Sequence, residues 1–173
     1  EGGPSVALVD LSLGGGDLPL FLDVQPTRSF RDIAQDVSRL DGTFLLTVLT
    51  KHASGLSLLP LGDKDGSAEE TDWLRPDCVE QTLELLQSLF DYVVIDCGHG
   101  VQPVTMRALA HSSMTLVIST LSVPVIRRTR HLLGRLEAEG QARQVRLVMN
   151  RYTSHADLLL AYLEQLGIDY LFG

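Results

Sequence analysis

The chain alternates between short, unbroken runs of apolar residues and longer segments in which apolar residues recur every three or four positions. Unbroken runs of about four to eight residues are typical of strands buried on both faces, whereas the three-and-four spacing is typical of helices with one buried stripe. The runs predict strands at residues 5–11, 56–61, 92–96, 114–119, 145–149 and 168–172. The spacing predicts helices at residues 30–40, 42–55, 76–90, 103–110, 122–139 and 154–166.

Strands and helices in this order specify a doubly wound α/β fold with a mostly parallel sheet and helices on both faces. No internal repeat or linker divides the chain, so we expect a single domain over residues 1–173. Lys51 and Gly55 are expected to end the helix at 42–55, and the polar run 62–71 is expected to be an exposed, mobile loop. The abrupt start and the apolar end lead us to expect that the segment belongs to a longer chain.

Composition limits the possible partners. The 173 residues contain 14 Lys and Arg against 22 Asp and Glu, which gives a formal charge of −8. This balance argues against a general polyanion-binding surface, so no nucleic acid partner is expected. No apolar run approaches the roughly 20 residues of a membrane span, and the first residues given lack the charged-then-apolar pattern of a signal peptide. Cys78 and Cys97 lack metal-binding spacing and are expected to be reduced thiols of a cytoplasmic protein.

Candidate site residues follow the predicted strands. In parallel α/β sheets ligands lie beyond the carboxyl ends of the strands. The residues at those ends are 10–17, 96–100, 119–120 and 150–151, and they include Asp10, Asp96 and Asn150. Two carboxylates and an amide suit a metal–phosphate ligand that carries a base better than a purely apolar ligand.

Two of these motifs allow more than one interpretation. An apolar strand that delivers Asp96 to a glycine-containing loop is the layout of a Walker B strand, but a core strand whose terminal Asp caps a turn has the same pattern. Gly14, Gly15 and Gly16 permit close approach to a ligand, yet they lack phosphate-loop spacing and favour a flexible turn.

Four segments in register resemble the MinD/ParA class of deviant-Walker P-loop ATPases, and most closely its CpaE/TadZ branch, which is linked to bacterial pilus assembly. The segments are residues 7–17 (ALVDLSLGGGD), 54–60 (SGLSLLP), 90–96 (FDYVVID) and 146–152 (RLVMNRY). They occur in family order and extend over nearly the whole chain.

The resemblance implies roles for five residues. Asp96 would be the Walker B acid that holds Mg²⁺ through water, which suits an ion that releases its waters reluctantly. Asp10 would be the first acid of the family's Asp-x-Asp strand end, near the metal and the γ-phosphate of ATP. Asn150, followed by Arg151, would read the adenine edge, and an amide has the donor and the acceptor needed. Ser12 occupies the position of the second acid of Asp-x-Asp.

Two departures from the family pattern bear on activity. The lysine-containing phosphate loop of this class would precede Ser5, where only Glu1-Gly2-Gly3-Pro4 stands. Ser12 replaces the acid that orients the attacking water, and a hydroxyl is a poor base at neutral pH. We therefore expect no ATP hydrolysis from residues 1–173, and ATP and Mg²⁺ binding would depend on a phosphate loop elsewhere.

The resemblance implies an ATPase-like localisation factor for pilus assembly, with an ATP-dependent dimer switch and weak or no hydrolysis. Its expected partners are a second copy of the chain and proteins of the pilus or secretion machinery. Its expected location is the cytoplasm, with recruitment to the cell pole or the inner-membrane face. A non-catalytic interaction scaffold with a decayed nucleotide site is one alternative. A ParA-like DNA-partitioning ATPase is another, and it depends on the arginine-rich face at residues 127–135.

Overall fold

A computed structural model describes residues 2–13, 16–62, 73–141, 144–151 and 170–172. The chain divides into two compact units, Glu1–His111 and Ser112–Gly173. The elements of the first unit are β1 (Val6–Asp10), α1 (Leu18–Phe21), α2 (Phe30–Gln35), a 3₁₀ turn (Val37–Arg39), α3 (Gly42–Val48), β2 (Thr50–Lys51), β3 (Ser57–Leu59), α4 (Pro76–Leu89), β4 (Tyr92–Asp96) and α5 (Pro103–Ala110). Those of the second unit are β5 (Thr115–Thr120), α6 (Val123–Ala138), β6 (Val145–Asn150) and β7 (Tyr170–Phe172). The expectation of one domain over residues 1–173 stays a prediction.

The first unit is built on a four-stranded sheet in the order β2-β3-β1-β4. Central strand β1 runs parallel to both β3 and β4, and β2 is antiparallel to β3. Helices α2, α3 and α4 supply the large side chains of the core, which include Phe30, Ile33, Leu45, Leu83 and Leu86. Burial of such side chains contributes about 1.5–3 kcal/mol each, so this core holds the ends of β1 and β4 in place.

The prediction of a helix at residues 42–55 was wrong at its end. Helix α3 stops at Val48, and Thr50 and Lys51 pair with Leu58 and Ser57 in an antiparallel hairpin. The amide of Gly55, at a φ of +92°, donates to the carbonyl of His52 and closes the turn. The cation and the glycine that indicate a helix end therefore belong to a hairpin.

The helix predicted at residues 30–40 is shorter than expected. Helix α2 ends at Gln35, because Asp36 has a φ of −143° and a ψ of 67°, and a 3₁₀ turn follows it. The N-terminus of α2 has a capping box in which the backbone amide of Ser29 donates to Asp32. The apolar spacing thus identified the buried face of the helix but not its end at Gln35.

The second unit contains a parallel three-stranded sheet in the order β5-β6-β7. Helix α6 buries Ile126, Thr129 and Leu136 and exposes its arginines, as its spacing predicts. A buried hydrogen bond of 2.9 Å joins the hydroxyls of Thr129 and Ser119 and connects α6 to β5. The loop predicted at 62–71, apart from Gly62, and the helix predicted at 154–166 lie outside the described residues.

Strands β4 and β5 are less buried than their unbroken apolar runs predict. Tyr92 and Val94 of β4 are 62% and 52% exposed, and Leu116 and Ile118 of β5 are 55% and 65% exposed. In both strands the alternate residues are buried or partly buried. Within the described residues each strand therefore has one covered face, and an unbroken apolar run cannot distinguish that case from burial on both faces. Within the same part of the chain, no helix combines the length and the apolar character that crossing a membrane requires.

Candidate functional site

The acids that end β1 and β4 lie side by side. The two strands are parallel neighbours whose register aligns Val6 with Tyr92 and Asp10 with Asp96. Beyond this pair, the amide of Leu11 donates to the carbonyl of Asp96 at 2.8 Å and extends the pairing into the loop. Asp10 and Asp96, which the sequence places at two strand ends, therefore lie together at the carboxyl ends of neighbouring parallel strands.

Asp10 is a fully buried carboxylate that is only partly satisfied. Its Oδ1 accepts the backbone N–H of Ser12 at 2.9 Å, and its Oδ2 has no hydrogen-bond partner among the described residues. Burial raises the pKa of Asp10 to about 6. The bond from Ser12 opposes this rise, while the negative charges of Asp96 and Asp17 add to it. A buried acceptor with a free lone pair requires a donor or a cation.

Asp96 differs from Asp10 because it is exposed. Its Oδ1 accepts the backbone N–H of Gly98 at 2.8 Å. Gly98 has a φ of +60°, and a Cβ there would collide with Ser12 Oγ and lie 2.9 Å from Ser12 Cα. A side chain at residue 98 would therefore separate the loops that follow β1 and β4.

Gly16 lies equally close to the pair. A Cβ on Gly16 would lie 2.7 Å from Oδ2 of Asp10, so only glycine allows the backbone to pass over this carboxylate. Ser12 itself is buried, and its hydroxyl lies beside Gly98. The sequence indicated glycine-rich turns after both strands, but not that each glycine contacts the opposite loop or the buried acid.

Within the part of the chain that the structure describes, neither cysteine belongs to a cluster of three or more candidate metal ligands. Cys78 and Cys97 are both free thiols, and the first is buried at the start of α4. Burial, reinforced by the charge of Asp96, raises the pKa of Cys97 to about 11. Its thiol therefore stays protonated at neutral pH and is a weak nucleophile and ligand.

The remaining predicted site residues belong to the second unit. Asn150 ends β6 opposite Thr120 of β5, and both are the last residues of parallel strands. The Oδ1 of Asn150 accepts the backbone N–H of Arg151 at 2.8 Å, and Arg151 has a φ of +55°. Both residues are exposed. The amide group of Asn150 is thus held by its own turn, and its NH₂ group can donate.

The chain matches a protein-family model described as cellulose biosynthesis protein BcsQ over residues 20–167. It is 26% identical over 151 residues to the septum site-determining protein MinD of Synechocystis and 27% identical over 154 residues to that of Bacillus subtilis. These alignments cover 86% and 88% of this chain and 54% and 56% of the two MinD proteins. The chain therefore spans about half the length of the curated relatives it matches.

Solved structures of the same class have a similar fold. A ParA family ATPase from Chlorobium tepidum TLS gives a TM-score of 0.87 at 24% identity, over 99% of this chain and 72% of that one. MinD of Pyrococcus horikoshii OT3, complexed with Mg-ADP, gives a TM-score of 0.73 at 19% identity, over 98% of this chain and 67% of that one. The predicted fold class, a mostly parallel sheet with helices on both sides, is confirmed. The chain belongs to the family described as cellulose biosynthesis protein BcsQ, and it is similar to MinD proteins in sequence and to MinD and ParA family ATPases in fold.

Proposed function

We propose that this chain binds ATP and Mg²⁺ as part of a localisation factor that acts as a switch. In this switch the conformational state depends on ATP binding and not on ATP hydrolysis. The observation that carries this proposal is the pairing of Asp10 with Asp96 at the carboxyl ends of two parallel strands. A buried acid with an unpartnered oxygen beside an exposed acid is costly for folding alone. Such a pair is retained where a cation or a phosphate-bound water completes it.

The donor set suits magnesium. Asp96 is exposed and accepts one backbone N–H through Oδ1, so a hydrated ion can reach its carboxylate. Asp10 offers Oδ2, the buried oxygen that has no hydrogen-bond partner among the described residues. Mg²⁺ prefers oxygen ligands and keeps several waters, and when bound it neutralises charge on nucleotide phosphates. In this proposal Asp96 holds the hydrated ion and Asp10 orients its waters.

Residue 12 limits the chemistry at this pair. Ser12 is buried next to Gly98, and its hydroxyl can hydrogen-bond a water without accepting its proton at neutral pH. Asp10, with a pKa of about 6, is mostly ionised at neutral pH, but its Oδ1 already accepts the amide of Ser12. We therefore expect weak or no hydrolysis, and a switch that responds to ATP binding and release.

Nucleotide recognition is assigned to the second unit in this proposal. Asn150 has one amide oxygen held by Arg151 and an NH₂ group available to an acceptor on a purine edge. Arg151 follows in a left-handed turn, where its exposed guanidinium can contact the nucleotide. We assign adenine reading to Asn150 and a supporting role to Arg151.

The switch is proposed to act as an ATP-dependent homodimer in the cytoplasm that recruits a machinery at the cell pole or the inner-membrane face. The matched family is described by cellulose biosynthesis, and the matched relatives by septum-site determination. The narrower hypothesis of a CpaE/TadZ-type factor for pilus or secretion machinery stays a prediction.

The test is calorimetric titration of ATP with Mg²⁺ into the whole protein. Asp96→Ala and Asn150→Ala are each expected to weaken ATP binding by about tenfold or more, because the first removes a charge-assisted contact with the hydrated ion and the second removes a hydrogen bond to the base. Asp91→Asn, at the opposite end of β4, is the matched control and should bind like the wild type. A wild type with no ATP affinity would contradict the proposal.

A scaffold with a decayed site is the second candidate, and Ser12 in place of an acid favours it. It predicts that replacement of Asp10 and Asp96 leaves partner recruitment and cell-pole localisation unchanged, whereas the switch predicts their loss. A DNA-partitioning role depends on the exposed arginines of α6 (Arg127, Arg128, Arg130 and Arg135). That role requires a gel shift that weakens steeply with salt, and the net charge of −8 disfavours it.

A further inference from the structure

We propose that Glu80, Glu84 and His111 form a binding site for Zn²⁺ that connects α4 with the end of α5, apart from the Asp10–Asp96 pair. Their candidate ligand atoms all lie within 4.8 Å of one another. Among the residues that the structure describes, no other set of three or more such side chains meets this condition. This inference does not depend on the proposed nucleotide switch.

The two glutamates are placed by helix geometry. Glu80 and Glu84 lie one turn apart on α4, so their side chains share one face of the helix. Gln87 continues the same face, and its Nε2 donates to the carbonyl of His111 at 3.0 Å. The face of α4 that carries both carboxylates therefore lies against the C-terminal end of α5.

His111 is oriented from its backbone and from its ring. Its amide, at the C-cap of α5, donates to the carbonyls of Arg107 and Ala108, and its carbonyl is held by Gln87. Its Nε2 lies 2.8 Å from Oε1 of Glu80. An imidazole fixed in this way loses little freedom when a metal replaces the proton it shares with the carboxylate.

Glu80 already has the surroundings of a metal ligand. Its Oε2 forms an ion pair with Nη1 of Arg107 at 3.3 Å, and its Oε1 faces His111. Metal-binding carboxylates are themselves hydrogen-bonded by a second group that orients them, and Arg107 would serve in that way. Glu80 is 31% exposed and His111 22%, so the site is sheltered and still reachable from solvent.

The ligand set favours zinc over magnesium. One imidazole nitrogen with two carboxylate oxygens, and a water in the fourth position, matches the ligands and the tetrahedral geometry of Zn²⁺. Ligands of a tetrahedral Zn²⁺ lie about 3.3 Å apart for bond lengths of about 2.0–2.1 Å. The present atoms lie up to 4.8 Å apart, and the exposed side chain of Glu84 can rotate to bring its carboxylate closer to the other two ligands.

The test is a titration of Zn²⁺ alone into the chain, in competition with a chromophoric chelator, with Co²⁺ absorption as a second readout of a nitrogen-containing tetrahedral site. The wild type is expected to bind one strong equivalent. Glu84→Gln and His111→Asn should each weaken Zn²⁺ binding by at least about 10–100-fold, because loss of a residue that only orients a ligand already has an effect of that size. Glu84 is exposed, so its variant tests the site even if His111→Asn folds poorly.

Three controls separate this site from others. Glu137→Gln and His131→Asn, both exposed on α6, should bind Zn²⁺ like the wild type. Asp96→Asn should also keep the strong equivalent, since its carboxylate belongs to the proposed nucleotide site. Unchanged affinity in both Glu84→Gln and His111→Asn, or no Zn²⁺ binding by the wild type, would overturn the proposal.

Discussion

Replacement of Asp10 by asparagine is expected to stabilise the first unit at neutral pH. Asp10 is fully buried, its Oδ2 lacks a partner among the described residues, and burial raises its carboxyl pKa from 3.8 to about 6. Asparagine has nearly the same shape and keeps an oxygen that can accept the N–H of Ser12. It removes the charge that burial disfavours.

The magnitude follows from the two pKa values. The folded state binds the proton of Asp10 more tightly than the unfolded state, so ionisation costs folding free energy as the pH rises. A rise of about two pKa units corresponds to about 3 kcal/mol in the free energy of unfolding near pH 7.5. The cost falls to about half of that near pH 5 and vanishes well below pH 3.8, where both states are protonated. The free energy of unfolding of Asp10→Asn should therefore exceed that of the wild type by as much as about 3 kcal/mol at neutral pH.

Urea denaturation followed by tryptophan fluorescence measures this difference. Trp73 is the single tryptophan of the chain and packs against the core of the first unit, so its emission reports on that unit. Glu84→Gln, measured with a chelator present, is the control for neutralising an exposed acid. A stability difference of zero, or one that does not shrink between about pH 7.5 and pH 5, would refute the reasoning about Asp10.

Two further substitutions test the packing on which the two units depend. Gly98→Ala is expected to lower the free energy of unfolding by about 1–3 kcal/mol, because alanine at a φ of +60° is strained and its Cβ would collide with Ser12. Urea denaturation followed by the fluorescence of Trp73 measures this loss. Ser119→Ala is expected to lower the free energy of unfolding by about 1–3 kcal/mol, because the buried hydroxyl of Thr129 loses its hydrogen-bond partner. Thermal unfolding followed by circular dichroism measures this loss.

Each of these substitutions has a matched comparison. Gly100 also has a positive φ, +97°, but a Cβ there meets nothing within 4 Å. Gly100→Ala should therefore be less harmful than Gly98→Ala, and equal losses would argue against the collision with Ser12. Adding Thr129→Val to Ser119→Ala removes both hydroxyls and should restore part of the lost stability. A double variant as unstable as the sum of the two single variants would contradict a direct hydrogen bond.

The sequence placed Asp10 and Asp96 at strand ends because the rule involved is simple. Strand ends at Asp10 and Asp96 are visible as apolar runs that meet a carboxylate, and parallel neighbours bring such ends together. The sequence could not predict that Asp10 would be buried and Asp96 exposed. That difference depends on the approach of Gly16 to Asp10 and of Gly98 to Ser12, which are contacts between separate loops.

The misassigned segments have a common physical origin. At Thr50 and Lys51 a two-residue strand gives too short a pattern to compete with the helical spacing before it. At β4 and β5 the apolar runs are the same for one covered face or two, so exposure of Tyr92 or Ile118 could not be read from them. Pairing with β3 decides the first case, and the packing on each face of the strand decides the second.

The cluster of Glu80, Glu84 and His111 could not be predicted from the sequence, because it depends on how α4 packs against the end of α5. Glu80 and Glu84 have ordinary helical spacing, and His111 lies 31 residues after Glu80 in sequence. No short motif connects them. Only the packing of α4 against the end of α5 brings the imidazole to the carboxylates, so the structure was required to find the proposed site.

The most direct test of the Asp10–Asp96 pair as a metal and nucleotide site is the magnesium dependence of ATP affinity. Calorimetry on the whole protein, with Mg²⁺ and with a chelator, gives the gain in affinity that the ion provides. We predict a gain of about tenfold or more in the wild type and in the Asp91→Asn control, and its loss in Asp96→Asn. An equal gain in Asp96→Asn, or ATP binding that is indifferent to Mg²⁺ in the wild type, would contradict the assignment.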